Sequence, residues 1–156
     1  MLKNLDPLLN ADVLHALRAM GHGDELVLCD TNFPADAVAR STTLGRLLHI
    51  DGVDAPRAAR AILSVLPLDT FVEQPALRME VVGKPDEIPP VQAELQAEVN
   101  RAEGRVWTMG GVERFAFYER AAAARLVVRT GELRPYGNLV LRKGVVNAYV
   151  ATGAAR

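Results

Sequence analysis

The sequence predicts an α/β fold, a three-layer single domain with a mixed central β-sheet flanked by helices. Strand-like apolar runs alternate with helical patterns over the first two thirds of the chain. The last third is rich in strand candidates separated by turn residues, which favours a mixed sheet. A length of 156 residues with 49% hydrophobic content fits one core, so residues 1–156 are expected to form one domain.

The first half of the chain carries helix-capping signals. Asn10 suits the N-cap of a first helix, which is predicted to end at Gly21 because glycine readily adopts a left-handed conformation. The continuous apolar run 26–29 is typical of a strand that is covered on both faces. Asp54 suits the N-cap of a second helix over 55–66, with a proline in its tolerant first turn.

The second half is predicted to contain two further helices and several strands. The third helix starts after a proline pair and stops at Gly104, and the pair Gly110-Gly111 is expected to break a short strand. In chain order the predictions are a strand over 76–82, a helix over 91–104, a strand over 106–109, a helix over 112–124, and strands over 126–128, 138–141 and 145–150.

Charge and composition argue against several classes of partner. Eighteen basic and nineteen acidic residues give a formal net charge of −1, without the excess of cations that nucleic acids or anionic membrane surfaces usually require. No stretch approaches the ~20 apolar residues of a membrane span, and the N-terminal residues lack the core of a signal peptide. A cytoplasmic location is therefore expected. Cys29 is the single cysteine, which excludes an internal disulfide and a cysteine-based zinc site.

The segment 20–25 places His22 between two glycines, directly before the predicted buried strand. Flanking glycines free the backbone and leave the imidazole ring accessible. Because the unperturbed pKa of histidine is about 6.5, such a ring can both donate and accept a proton around neutral pH. The alternative interpretation is an ordinary surface turn, since Gly-x-Gly turns are common between elements.

Two further segments place polar groups where strands end or begin. Asp30 follows the apolar run, at the end of a strand where ligand-binding groups collect in open α/β sheets. Tyr136, Gly137 and Asn138 lie in a loop that brings a phenol and an amide to the mouth of another strand. An Asx turn at Asp30 and a plain hairpin in the later loop are the structural alternatives.

The segment 114–120 is the most unusual in the chain. Arg114 and Tyr118 are four residues apart, so on a helix they project from one face toward one point. Arg114 falls in or near the first turn, where the helix dipole disfavours a cation, so a nearby carboxylate or a functional role is needed to explain it. Phe115 and Phe117 are expected to pack in the core, and anchoring of Arg114 by a carboxylate is the structural alternative.

Together these four segments resemble the signature blocks of the L-fucose mutarotase and D-ribose pyranase family, and they occur in the family's order. The similarity covers residues 2 to about 145. The block 114–120 is similar to the fucose branch. In the ribose pyranase branch, histidine stands at the position of Arg114 and lysine at that of Tyr118.

The resemblance implies an enzyme that interconverts the α and β anomers of L-fucose, or of a related monosaccharide, by opening and reclosing the sugar ring. No cofactor is needed, because the reaction consists of proton transfers. The resemblance assigns the principal acid–base role to His22, assisted by Tyr118 or Tyr136. The substrate-binding residues that it implies are Asp30, Arg114, Tyr136, Gly137 and Asn138.

The family also has a characteristic assembly. Its members form toroidal decamers with active sites near subunit contacts, so the resemblance implies a homo-oligomer, a decameric ring. Residues 145–156 run past the usual end of the family and are expected to form an extended C-terminal segment without an assigned role.

The spacing of His22 and Asp30 raises a geometric problem. In an extended strand at about 3.3 Å per residue, the eight residue steps between them would span about 26 Å, too far for one sugar. Either the glycine-rich segment curls back or a neighbouring subunit supplies one of the two side chains.

Three other functions remain open. A D-ribose pyranase would catalyse a related interconversion, and a non-catalytic sugar-binding or regulatory protein would use the same polar cluster without accelerating exchange. A metal-dependent sugar isomerase would recruit His22, Asp24 and Glu25. It is disfavoured because the histidines at 15, 22 and 49 show no familiar ligand spacing, so no bound metal is expected.

Overall fold

The computed structural model describes residues 2–146 of the chain. Five α-helices and six β-strands make up this range. In chain order they are α1 (Ala11–Ala19), β1 (Glu25–Cys29), α2 (Ala35–Ala39), β2 (Leu47–Ile50), α3 (Ala55–Leu63), β3 (Ala76–Met79), α4 (Pro90–Glu103), β4 (Gly110–Val112), α5 (Arg114–Ala123), β5 (Leu126–Thr130) and β6 (Leu139–Arg142). None of the helices in residues 2–146 has the length and apolar character needed to cross a membrane.

The six strands form one sheet in the order β2-β5-β1-β6-β3-β4. Strand β6 is antiparallel to β1 and β3, whereas β5 is parallel to both β1 and β2, and β3 is parallel to β4. The predicted mixed sheet is therefore confirmed. Because β1 and β6 run in opposite directions, the carboxyl end of β1 and the amino end of β6 meet at the same edge of the sheet.

Helices cover both faces of this sheet and complete the three predicted layers. Leu26 and Leu28 pack on one face in a core shared with α1, α3 and α4. Val27 and Cys29 pack on the other face with residues of α2 and α5. All four side chains are fully buried, which explains why the run 26–29 is apolar without alternation. Burial also raises the pKa of the Cys29 thiol.

Side-chain caps determine where several helices begin. The Asn10 Oδ1 accepts the backbone N–H three residues later at 3.0 Å, and the Asp54 Oδ1 does the same at 2.8 Å, so both predicted N-caps are confirmed. Gly104 ends α4 with a left-handed φ of 64°, also as predicted. The predicted end of the first helix is wrong: α1 ends before Met20, which is extended, and Gly21 does not adopt a positive φ.

The predicted strand over 106–109, broken by two glycines, is also wrong, because the glycines themselves belong to β4. A Cβ atom at Gly110 would collide with the side chain of Gln74, and one at Gly111 would collide with Glu80. The strand therefore uses glycine where neighbouring side chains approach the backbone closely.

Two other differences concern short elements. Helix α2 was not predicted, since it spans five residues and its N-cap, Pro34, makes no side-chain hydrogen bond to the helix. Of the last predicted strand, 145–150, the first two residues are not in a strand. Its remaining residues, 147–150, lie outside the described range.

Candidate active site

A cavity of about 240 Å³ opens at the edge of the sheet where β1 ends and β6 begins. Five of the predicted site residues line it together with four others: Asp30, Asn32, Phe33, Met79, Arg114, Tyr118, Pro135, Tyr136 and Asn138. The antiparallel pairing of β1 with β6 explains how residues more than a hundred positions apart in the chain meet in one cavity.

Asp30 joins the two loops that form one wall of the cavity. Its Oδ1 accepts the backbone N–H groups of Asn32 and Phe33 at 2.9 and 3.0 Å. Its Oδ2 accepts the N–H of Gly137 at 3.2 Å and the amide of Asn138 at 3.0 Å. Burial raises the pKa of the Asp30 carboxyl, against these four hydrogen bonds, which favour the charged form. The Asx turn considered from the sequence is thus present, and Asp30 also lies in the cavity wall.

Helix α5 supplies the opposite wall. Glu113 caps the helix by accepting two backbone N–H groups, which places Arg114 in the first turn and Tyr118 one turn later on the same side. The Nε of Arg114 is buried and has no hydrogen-bond partner among residues 2–146. A buried donor without a partner is costly, and the Arg114 side chain that carries it lines the cavity.

The predicted burial of both phenylalanines on α5 is half wrong. Phe117 is fully buried, but 62% of Phe115 is exposed. On a helix, residues two apart point in nearly opposite directions, so one faces the core while the other faces solvent. The guanidinium carbon of Arg114 lies 4.8 Å from the centre of the Phe115 ring.

Tyr136 is held in a left-handed backbone conformation with φ of 65°. This conformation is unusual for a residue other than glycine and costs of order 1–3 kcal/mol. The fully buried Gln92 stabilises it by donating to the carbonyl of Tyr136 at 3.1 Å and to that of Met79 at 2.7 Å. The Tyr136 hydroxyl accepts the N–H of Val82 at 3.3 Å.

His22 does not line this cavity. It precedes β1, whereas Asp30 follows it, and the strand between them spans about 13 Å at 3.3 Å per residue. The pairing with β6 gives the same result, because Arg142, at the far end of that strand, lies beside Glu25. Within one chain, the turn around His22 therefore does not bring the imidazole to the cavity.

Sequence reasoning missed the main partner of His22. The Nε2 of His22 lies 3.0 Å from Oδ1 of Asp69, whose side chain is only 1% exposed, while 43% of the His22 side chain is exposed. Phe71, itself 73% exposed, meets the imidazole edge-on with ring centres 5.3 Å apart. Asp69 lies 47 residues from His22 in a loop without regular pattern, so nothing in the sequence indicates the contact.

The carboxylate of Asp69 is ionised by its surroundings. Burial raises the pKa of Asp69, but hydrogen bonds from the N–H of Phe71, from His22 and from Arg142 outweigh it and hold the pKa below its usual value. An ionised carboxylate at this distance orients the imidazole by accepting its N–H. Within residues 2–146, no three His, Cys, Asp or Glu side chains are grouped so as to hold a metal ion.

Residues 3–146 match the RbsD / FucU transport protein family. The fucose mutarotase of Homo sapiens is 46% identical over 148 residues, which cover 93% of this chain and 94% of the human protein. Protein Atu2016, whose crystal structure is known, is 62% identical in sequence and superimposes with a TM-score of 0.92. This match covers 94% of the present chain and 97% of the Atu2016 chain. The fucose mutarotase of Streptococcus pneumoniae, solved in complex with L-fucose, is 36% identical and has a TM-score of 0.83. This match covers 94% of the present chain and 100% of the Streptococcus chain. The chain described here belongs to the RbsD/FucU family.

Proposed function

We propose that this protein is a sugar mutarotase, which interconverts the α and β anomers of L-fucose or a closely related monosaccharide. The observation that carries the proposal is the similarity, over 94% of the chain, to a fucose mutarotase solved with L-fucose. The cavity supports it, because tyrosine hydroxyls, an amide and a guanidinium whose Nε has no partner among residues 2–146 suit the hydroxyl groups of a neutral sugar.

The reaction needs one group to protonate the ring oxygen and another to remove the proton of the anomeric hydroxyl. His22 is the principal acid–base residue, oriented by Asp69. A tyrosine, Tyr118 or Tyr136, assists from the cavity wall. The open-chain aldehyde then rotates and recloses to the other anomer, and no bound metal or cofactor takes part in these proton transfers.

The cavity residues hold the sugar. The guanidinium of Arg114 donates to the sugar, and the amide of Asn138 and the phenol of Tyr136 form hydrogen bonds to hydroxyl groups. Asp30 and Gly137 contribute from the hydrogen-bonded wall between the two loops.

A complete site combines His22 of one copy of the chain with the cavity of a neighbouring copy. The separation of His22 from Asp30 by the length of β1 supports this arrangement. An exposed aromatic ring lies beside each half, Phe71 next to His22 and Phe115 next to Arg114, and we assign both rings to the contact between the copies. The assembly is a homo-oligomer, a decameric ring, located in the cytoplasm.

Saturation-transfer NMR of anomeric protons tests the proposal. The protein should accelerate exchange of L-fucose more than that of ribose, galactose or rhamnose measured in parallel. His22→Ala should lower the rate by roughly 10²-fold or more. His15→Ala, which changes an exposed histidine on α1, is the matched control and should keep the full rate.

Other results would favour the alternatives. Faster exchange of ribose than of fucose would indicate a D-ribose pyranase. Binding of fucose without any acceleration would indicate a regulatory sugar-binding protein and would refute the enzymatic proposal.

A further inference from the structure

Arg142 contacts the His22–Asp69 pair but has no part in the chemistry described above. It is the last residue of β6, and its Nε lies 3.0 Å from Oδ2 of Asp69. We propose that Arg142 is a positioning residue that keeps Asp69 ionised and its other oxygen directed at His22. This inference rests on the proposed function of His22.

The two oxygens of Asp69 have separate partners. Oδ1 accepts the N–H of Phe71 at 3.0 Å and contacts His22 Nε2 at 3.0 Å, whereas Oδ2 accepts from Arg142. Because the carboxylate is buried, these protein groups replace the water that would otherwise solvate its charge. Of the three donors, the guanidinium of Arg142 alone is charged at every pH in the working range, since imidazole titrates and the backbone N–H is neutral.

The turn that carries His22 leaves room for this guanidinium. Gly23 has a φ of 83°, and a Cβ atom there would lie 3.3 Å from Nη2 of Arg142. On its other side, Nη1 of Arg142 is 3.8 Å from Glu25, which is also paired with Arg120. The second glycine of the Gly-His-Gly segment therefore permits both the turn and the approach of Arg142 to Asp69.

Other charged groups near the pair have different partners. The Asp24 carboxylate accepts the N–H of Gly21 at 2.8 Å, and the Lys143 ammonium donates to the carbonyl of Met20 at 2.6 Å. Glu25 is paired with Arg120, and Arg125 lies 3.8 Å from Asp24. Glu103 accepts the backbone N–H of Leu68. Among the described residues, His22 and Arg142 are the basic side chains that form an ion pair with Asp69.

The test compares Arg142→Met and Arg142→Lys with a control, Arg46→Met. In the part of the chain that the structure describes, the cation that this control removes pairs with the exposed Asp12 and not with Asp69 or Glu25. Three quantities are measured: the titration midpoint of the Asp69 carboxyl by carbon-13 NMR, and kcat and KM for fucose exchange at neutral pH.

Arg142→Met should raise the Asp69 midpoint by about one pH unit or more, because a neighbouring cation lowers a carboxyl pKa by that amount. It should lower kcat about tenfold with KM nearly unchanged, because a misdirected imidazole loses reactive geometry and not sugar contacts. Arg142→Lys should keep the midpoint near that of the unaltered protein and lower kcat about threefold, since an ammonium lacks the fixed fork. The control should change none of the three quantities.

An unchanged midpoint and kcat in a folded Arg142→Met protein would overturn the proposal. If that variant does not fold, an Arg142→Lys protein with the kcat of the unaltered protein would overturn it instead. Absence of exchange in the unaltered protein would refute the proposed function, whereas the Asp69 titration would still decide whether Arg142 holds the carboxylate ionised.

Discussion

Replacing Asp69 by asparagine should slow the exchange of fucose anomers while preserving the shape of the buried side chain. Asp69 lies 3.0 Å from Nε2 of His22, and it is almost completely buried. Two unit charges about 4 Å apart interact by about 4 kcal/mol at an effective dielectric constant of about 20. Because 43% of the His22 side chain is exposed, screening by solvent reduces this to about 2 kcal/mol.

An energy of about 2 kcal/mol corresponds to a loss of about 30-fold in rate. Saturation-transfer NMR at neutral pH measures this loss, with kcat expected to carry most of it and KM to change little. Asp24→Asn is the matched control, because Asp24 lies in the same turn and bonds to the N–H of Gly21 rather than to His22. A folded Asp69→Asn protein that exchanges fucose at the rate of the control would refute the orienting role.

Three further predictions concern the cavity and the core. Arg114→Met should raise KM by about tenfold or more, because a charged hydrogen bond is worth about 1.5–3 kcal/mol. The control Arg46→Met, which removes an exposed ion pair with Asp12, should leave KM unchanged. Gln92→Leu should also raise KM, measured in the same assay, since it frees the strained loop of the cavity. The pKa of Glu98 is lowered chiefly by its hydrogen bond to Arg60, so the ionised carboxylate should stabilise the fold above pH 4.5 and lose this effect as the pH falls. The difference in unfolding free energy between the unaltered protein and Glu98→Gln should therefore shrink when denaturation is measured at decreasing pH.

Local signals made much of the fold predictable. The run 26–29 identifies the central strand because both faces of the sheet are covered there, and Asn10 and Asp54 identify helix starts by a bond to an N–H three residues later. The glycines of β4 misled the prediction, because the reason for them is the close approach of Gln74 and Glu80, whose side chains come from just before and just after β3. Such crowding belongs to tertiary packing and leaves no local pattern.

The candidate site was predictable in its parts and not in its arrangement. The sequence indicates which polar side chains lie where strands end or begin. The antiparallel pairing of β1 with β6, which the sequence does not indicate, brings Asp30 to Asn138. The contact of His22 with Asp69 depends on a loop that has no periodicity, so sequence patterns do not reveal it. The structure places His22 and Asp30 beyond opposite ends of β1. The proposed site therefore needs a neighbouring copy, which is one of the two solutions that the spacing in the sequence left open.

Mixing two impaired variants, at fucose concentrations well below KM, tests the shared site most directly. His22→Ala keeps the cavity, and Arg114→Met keeps the imidazole. If neighbouring copies complete one another, dissociating and reassembling an equal mixture should restore about a quarter of the full fucose exchange rate, because random pairing joins the two intact halves at that frequency. Exchange no faster than the average of the two separate variants, in assemblies shown to contain both, would contradict the account.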